Sequence, residues 1–250
     1  MKPKTPPEIV PETITRRTFS QWMGRASVLA LGAGLGAAGL RACGAAIPDD
    51  PELCPDGSVG LPFSPGEVDE GLAERWEVRT IDPPNLEDIL KRWQLRIDGL
   101  VRSPLALSFD DLMCLERQEQ VTDLHCVAGW STHDIPWVGV HFSRLLDLCQ
   151  PTAGATHLTL YSFAGFKESI PLEVALEPKT MLSYGVDDTS LPLEHGFPAR
   201  VVIPRLLGYK SAKHVERIEL DDKPVYGVWE LAGYPYEAEV PPERLREGRY

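Results

Sequence analysis

The sequence predicts an α+β fold: a mixed, strand-rich domain with a few short helices. Apolar residues recur in short β-prone stretches, the helical patterns are brief, and no strand–long helix–strand rhythm marks a doubly wound parallel sheet. Neither a G-x-G-x-x-G run nor a P-loop occurs in residues 47–250, so a nicotinamide or nucleotide enzyme has no support.

The elements follow in order. Trp93-Gln-Leu-Arg-Ile-Asp98 alternates apolar and polar residues and stops at the turn pair Asp98-Gly99, which predicts a half-buried strand. Ser108-Phe-Asp-Asp111 has the form of a helix N-cap and opens a short helix from Phe109 to about Glu116. Residues 121–127 are β-prone, and 143–149, with Leu145, Leu146 and Leu148, read as a short amphipathic helix. Further strands are expected at 157–162, 166–170, 181–186, 200–203 and 214–220.

These elements begin only at Trp76. Residues 1–46 read instead as an export address: Thr15-Arg16-Arg17-Thr18-Phe19-Ser20 is followed, after Arg25, by an uncharged run from Ala26 to Leu40. That run is short for a membrane span and is weakened as a helix by Gly32, Gly34, Gly36 and Gly39. A charged start, a short apolar run and then small residues is the layout of an export signal, and the arginine pair makes it similar to a twin-arginine signal. A periplasmic or otherwise exported protein is expected; Leu40-Arg41-Ala42-Cys43 leaves a lipid or signal anchor as the alternative to cleavage. Residues 47–75 are rich in Pro, Gly and Asp and read as a linker or a surface-hugging arm, and 76–250 as the functional domain.

The chain of 250 residues has 43% hydrophobic and 25% charged residues, a globular composition that excludes a disordered or multispanning protein. Its net charge is −12; without residues 1–46, which carry six basic and two acidic residues, it is −16. So acidic a body excludes nucleic acid as a partner. Five cysteines are too few for a disulfide framework.

Two constellations carry chemistry. In Leu124-His-Cys126-Val-Ala-Gly-Trp130-Ser131 a cysteine ends a strand, and small residues after it would let a bulky cofactor approach. Read alone, a buried structural cysteine or a half-cystine explains it better than a metal ligand, and a non-catalytic exported binding module stays open. A zinc site of His125, Cys126 and His133 fits no standard spacing. The second is Glu194-His195-Gly-Phe-Pro-Ala-Arg200, followed by Gly208-Tyr-Lys210-Ser-Ala-Lys213. A guanidinium at Arg200 beside an apolar strand, with Lys210 and Lys213 one loop on, suits the phosphate of a buried anionic ligand, or is ordinary surface charge.

Together these blocks, with Ile135-Pro-Trp-Val-Gly139 and Leu145-Leu146, resemble the molybdopterin domain of sulfite oxidase-like enzymes over 76–230. The resemblance implies a molybdenum–molybdopterin cofactor with Cys126 as the metal ligand. By the same likeness His195, Arg200, Ser211, Ala212, Lys213 and Ser162 contact the cofactor. Arg79 resembles the arginine of the family's entry motif, and Tyr184 the tyrosine beside the metal in sulfite-oxidising members.

Two departures bear on the substrate. Thr80 and Ile81 replace the entry motif's Asn and His, and Trp130-Ser131 stands where animal sulfite oxidases have Asn-Arg, as in the bacterial branch that includes protein-methionine-sulfoxide reductase. The resemblance therefore implies oxygen-atom transfer on a small oxyanion or sulfur compound, sulfite dehydrogenase-like, with sulfoxide reduction as the alternative. No C-x-x-C-H haem motif occurs, so an external electron-transfer partner, a cytochrome or a membrane haem subunit, is expected. A monomer is expected too, because little chain follows Trp229.

Overall fold

The computed structural model describes residues 60–79, 84–163 and 165–250. The expected export address, Cys43, Thr80 and Ile81 lie outside the described residues. Among the described residues no helix is long and apolar enough to cross a membrane.

In chain order the strands are β1 (Leu95–Gly99), β2 (Leu105–Leu107), β3 (Gln118–His125), β4 (Ser131–His141), β5 (His157–Ser162), β6 (Lys167–Pro171), β7 (Met181–Val186), β8 (Thr189–Ser190), β9 (Arg200–Val202) and β10 (Val215–Asp221). One sheet runs β2-β1-β10-β5-β6; the other runs β3-β4-β7-β8, with β9 also on β7. β1 and β10 pair parallel, and the other pairings are antiparallel. The helices are short: α1 (Glu70–Arg75), α2 (Leu86–Arg92), α3 (Phe109–Met113), α4 (Phe142–Cys149), α5 (Leu172–Ala175) and α6 (Val228–Leu231). This is the mixed, strand-rich α+β arrangement that the sequence predicts.

Local chemistry explains most boundaries. β1 alternates buried and exposed side chains as its sequence does. In α3 the Ser108 hydroxyl accepts from the Asp111 N–H and Asp111 accepts from the Ser108 N–H, at 3.1 and 2.9 Å, a reciprocal capping box. The helix stops at Met113, short of the expected Glu116; Cys114, which is disulfide-bonded, caps it by donating its N–H to the Asp110 carbonyl.

β4 goes unpredicted because Asp134, Pro136 and Gly139 read as breakers. In the sheet Gly139 is what lets β4 lie against β7: a Cβ there would fall 2.2 Å from the Leu182 carbonyl oxygen. The described part of the Pro/Gly-rich arm is packed, not loose. The Phe63 ring lies 5.1 Å from Phe109 and 5.5 Å from Phe197, Leu72 of α1 is buried, and the Ser190 hydroxyl donates to the Pro62 carbonyl. Composition marks turns, whereas packing here comes from the few apolar residues between them.

Candidate cofactor site

β3 sinks from an exposed edge into the interior and delivers His125 and Cys126 to the site. A tight turn follows. The Cys126 N–H donates to the Trp130 carbonyl at 2.9 Å, the Gly129 N–H donates to the Cys126 carbonyl at 3.1 Å, and Gly129 takes the left-handed φ of +98° that such a turn requires. Cys126 is a free, half-buried thiol, so the half-cystine reading does not hold. Beside it His125 is buried with Nδ1 2.8 Å from the Ser131 hydroxyl and Nε2 without a partner among the described residues; burial pushes its pKa down.

The segment 208–215 gathers the other candidates. At its start Gly208 donates its N–H to the His125 carbonyl at 2.7 Å. Further on, Val201 donates to the Ala212 carbonyl, His214 to Gly196, Val215 to Ala199, and Phe163 to His214. Ser162 pairs with Val215 across β5 and β10. The chain thus brings Cys126, Ser162, His195, Arg200, Ser211, Ala212 and Lys213 into one neighbourhood. Gly196, at φ +119°, makes the approach possible: a Cβ would lie 2.9 Å from Cβ of Arg200 and 3.3 Å from Cβ of Lys213.

The site is cationic, desolvated and underused. Arg200 is 2% exposed; Nη1 donates to the His195 carbonyl at 2.9 Å, its Nε has no partner among the described residues, and its guanidinium lies 5.1 Å from the Trp137 ring centroid. Burial lowers its pKa to about 10. Lys213 donates to the carbonyls of Arg79 and Glu194, at 2.9 and 2.6 Å. Burial, then repulsion by Arg200, brings its pKa to about 7, although Glu194 and Cys126 act in the opposite sense.

His195 stacks on Trp76 at 3.7 Å, and neither its Nδ1, the Ser211 hydroxyl nor His214 Nε2 has a partner among the described residues, though all three are buried. Unpaired buried polar atoms around two cations are what a polar, anionic ligand would satisfy. Among the described residues no group of three His, Cys, Asp or Glu side chains is placed to hold a metal ion. A soft thiolate at Cys126 beside unsatisfied polar atoms, Arg200 and Lys213 fits a molybdenum–pterin group, which brings the metal's other ligands with it.

The two buried histidines give a pH dependence. Burial pushes His195 to about 3, with Arg200 and Lys213 adding to the effect, and pushes His214 to about 4, against 6.5 for a free imidazole. A depressed histidine pKa means that the unfolded chain takes up the proton first. The stability associated with each neutral ring is complete above about pH 6.5 and is lost as pH falls toward 4 and 3. Each histidine should cost the cofactor-free protein up to about 1.4 kcal/mol per pH unit below 6.5. Urea unfolding between pH 7.5 and 5 checks this, with His214→Asn expected to flatten the slope.

Three sequence candidates are placed differently. The Arg79 side chain is exposed and paired with Glu77 at 2.7 Å, so only its carbonyl reaches the site, through Lys213. Tyr184 is 1% exposed in β7 with its ring against Phe109; burial raises its pKa to about 12, and the charges that act on it are Arg117 and Glu119. β7 lies buried between neighbouring strands, and the Tyr184 ring packs against the core. Lys210 is held by Glu168 at 2.8 Å and Glu230 at 2.6 Å, so of the two loop lysines Lys213 alone turns to the site. Trp76, Trp137 and His214 were not legible as site residues, because an aromatic or a lone histidine in a strand-rich sequence reads equally as core.

Comparison with known proteins bears on the fold and the family. Residues 81–229 match the oxidoreductase molybdopterin-binding domain family. An uncharacterized oxidoreductase, YuiH of Bacillus subtilis, is 36% identical over 157 residues, covering 63% of this chain and 79% of that protein. The catalytic subunit of a protein-methionine-sulfoxide reductase, MsrP of Ralstonia nicotianae, is 32% identical over 156 residues, 56% of this chain and 47% of that protein. The crystal structure of the sulfane dehydrogenase SoxCD from Paracoccus pantotrophus superposes with a TM-score of 0.50 at 28% identity, over 53% of this chain and 39% of that one. The chain spans less than half of the last two. With more than half of its residues matched, this chain is an oxidoreductase of the sulfite oxidase-like family, whose domain binds the molybdenum cofactor.

Proposed function

We propose that this protein, acting after export, moves an oxygen atom between water and a small sulfur compound or oxyanion, in the manner of a sulfite dehydrogenase. In that direction an oxygen from water joins the sulfur, and two electrons and two protons leave. The bound molybdenum–pterin group supplies the two-electron redox chemistry; the chain supplies placement and charge. The observation that carries the reading is the free Cys126 thiol beside a buried, cationic and unsatisfied polar neighbourhood.

In this reading Cys126 holds the metal, and Arg200 and Lys213 neutralise the anionic part of the cofactor. Ser162, His195, Ser211 and Ala212 line it. The His195 ring, held neutral by burial and stacked on Trp76, accepts or donates a hydrogen bond without adding charge. Electrons pass to an external haem-bearing partner. The likeness to a sulfane dehydrogenase supports the oxidative direction.

Trp130-Ser131, in place of a substrate-side arginine, and the relationship to MsrP favour a second reading, reduction of sulfoxides. Protein made in a cofactor-competent host and assayed for molybdenum, pterin, sulfite oxidation and methionine-sulfoxide reduction with artificial electron carriers separates them. Sulfite turnover is expected; sulfoxide turnover alone selects the second reading, and absence of molybdenum and pterin refutes both.

A further inference from the structure

The segment that follows the matched domain runs back across the Cys126 turn. The Leu207 N–H donates to the Ala238 carbonyl and the Val240 N–H to the Arg205 carbonyl, at 2.7 and 3.0 Å. Pro241 and Pro242 then preset φ for a single 3-10 turn, Pro242–Arg244. From it the Arg244 guanidinium donates through Nη1 to the Cys126 carbonyl at 3.1 Å, and through Nη2 to the Trp130 carbonyl at 2.6 Å and the Ser131 hydroxyl at 3.0 Å.

Those two carbonyls are the ones that close the turn, each already accepting one backbone N–H from within it. A carbonyl oxygen has two acceptor positions, so Arg244 takes the second at both ends of the turn at once. Its rigid fork fixes their separation, which an ammonium could not do. Val127 and Leu245 pack into the same small apolar cluster, so the turn is gripped by side chains as well.

The rest of the segment is anchored independently of Arg244. Arg246 clasps the buried Asp123 carboxylate at 2.6 and 2.7 Å, and Arg249 Nε donates to Asp134 at 2.6 Å. Arg244 therefore has a job separable from tethering. We infer that Arg244 is a positioning residue, which holds the Cys126 turn in the shape that aims its thiol at the cofactor. The inference rests on Cys126 being the metal ligand.

Two measurements on the full chain test it. In cofactor-free protein, alkylation of Cys126 by iodoacetamide at fixed pH, read by mass spectrometry with buried Cys149 as internal reference, reports the closed turn. Arg244→Ala should react severalfold faster than the parent, Arg244→Lys to an intermediate extent, and Arg246→Ala at the parent rate. In loaded protein, Arg244→Ala should lower molybdenum affinity about 10–100-fold, the usual effect of losing a group that orients a ligand, and shift the thiolate-to-metal absorption band.

The inference is overturned if both Arg244 variants alkylate and absorb like the parent, or if Arg246→Ala speeds alkylation as much as Arg244→Ala does. Cys126→Ser keeps the two failures apart. If that variant keeps full molybdenum occupancy, activity and the parental absorption band, the ligand assignment falls whatever Arg244 does; if it loses the band while Arg244→Ala keeps parental affinity and spectrum, the positioning role alone falls.

Discussion

Replacing Cys126 by serine is expected to lower molybdenum occupancy and to abolish turnover, with little change in folding. The thiol is free and half-buried, so the serine hydroxyl occupies its place without a lost disulfide or a large cavity. What changes is the ligand. A serine hydroxyl is a harder and far less acidic donor than a soft thiolate. Loss of a metal ligand should exceed the roughly 10–100-fold typical of losing a group behind one. Metal analysis of parent and variant made in the same host decides it, with circular dichroism to show that both are folded. Full molybdenum occupancy and activity in the serine variant would remove Cys126 from the site.

Replacing Lys210 by methionine should produce the largest loss of stability. Lys210 is 1% exposed, and its ammonium touches Glu168 at 2.8 Å, Glu230 at 2.6 Å and the Ser169 carbonyl at 3.1 Å, with the Tyr236 ring centroid 3.9 Å away. One cation thus serves two buried carboxyls. Burial pushes Glu168 up to about 8 even with Lys210 present, and Glu230 adds to the rise.

Removing the cation leaves both carboxyls uncompensated, at a cost of about 3–5 kcal/mol. The melting temperature of a domain this size should drop by about 10 °C. The sign with pH follows from a carboxyl pKa raised by folding: the penalty is full at alkaline pH and fades as pH falls toward 4.5, where the unfolded chain's carboxyls also hold protons. Melting curves of parent and variant at pH 8 and pH 5 measure both effects. Adding Glu168→Gln should recover part of the loss, because it removes one of the two unpaired charges.

The candidate site was readable in the chain chiefly through family likeness. Cys126, Arg200 and Lys213 stand out through the likeness of their blocks to the sulfite oxidase-like family; read alone, the cysteine is better explained as structural and the cations equally as surface charge. Contacts made by backbone or by distant side chains were not readable. Lys210 and Lys213 differ by three positions in one loop and look alike in sequence, yet one neutralises buried glutamates and the other faces the site. Tyr184 reads as a polar group near the substrate, and β7 turns it into the core beside Phe109. Arg244 carries no local signal, since its meaning depends on carbonyls more than a hundred residues away.

By itself the sequence determined the short strands, the capped helix at Ser108 and the acidic body. Those features depend on residue type and near neighbours, through alternation, capping and charge. The tertiary structure decided which side chains meet. β4 forms despite Pro136 because β3 and β7 flank it, and the Pro/Gly-rich arm packs because Phe63 and Leu72 find a core. Burial then separates identical side chains into different roles, since the environment of a charge is set by what the fold places around it, not by the residues beside it in the chain.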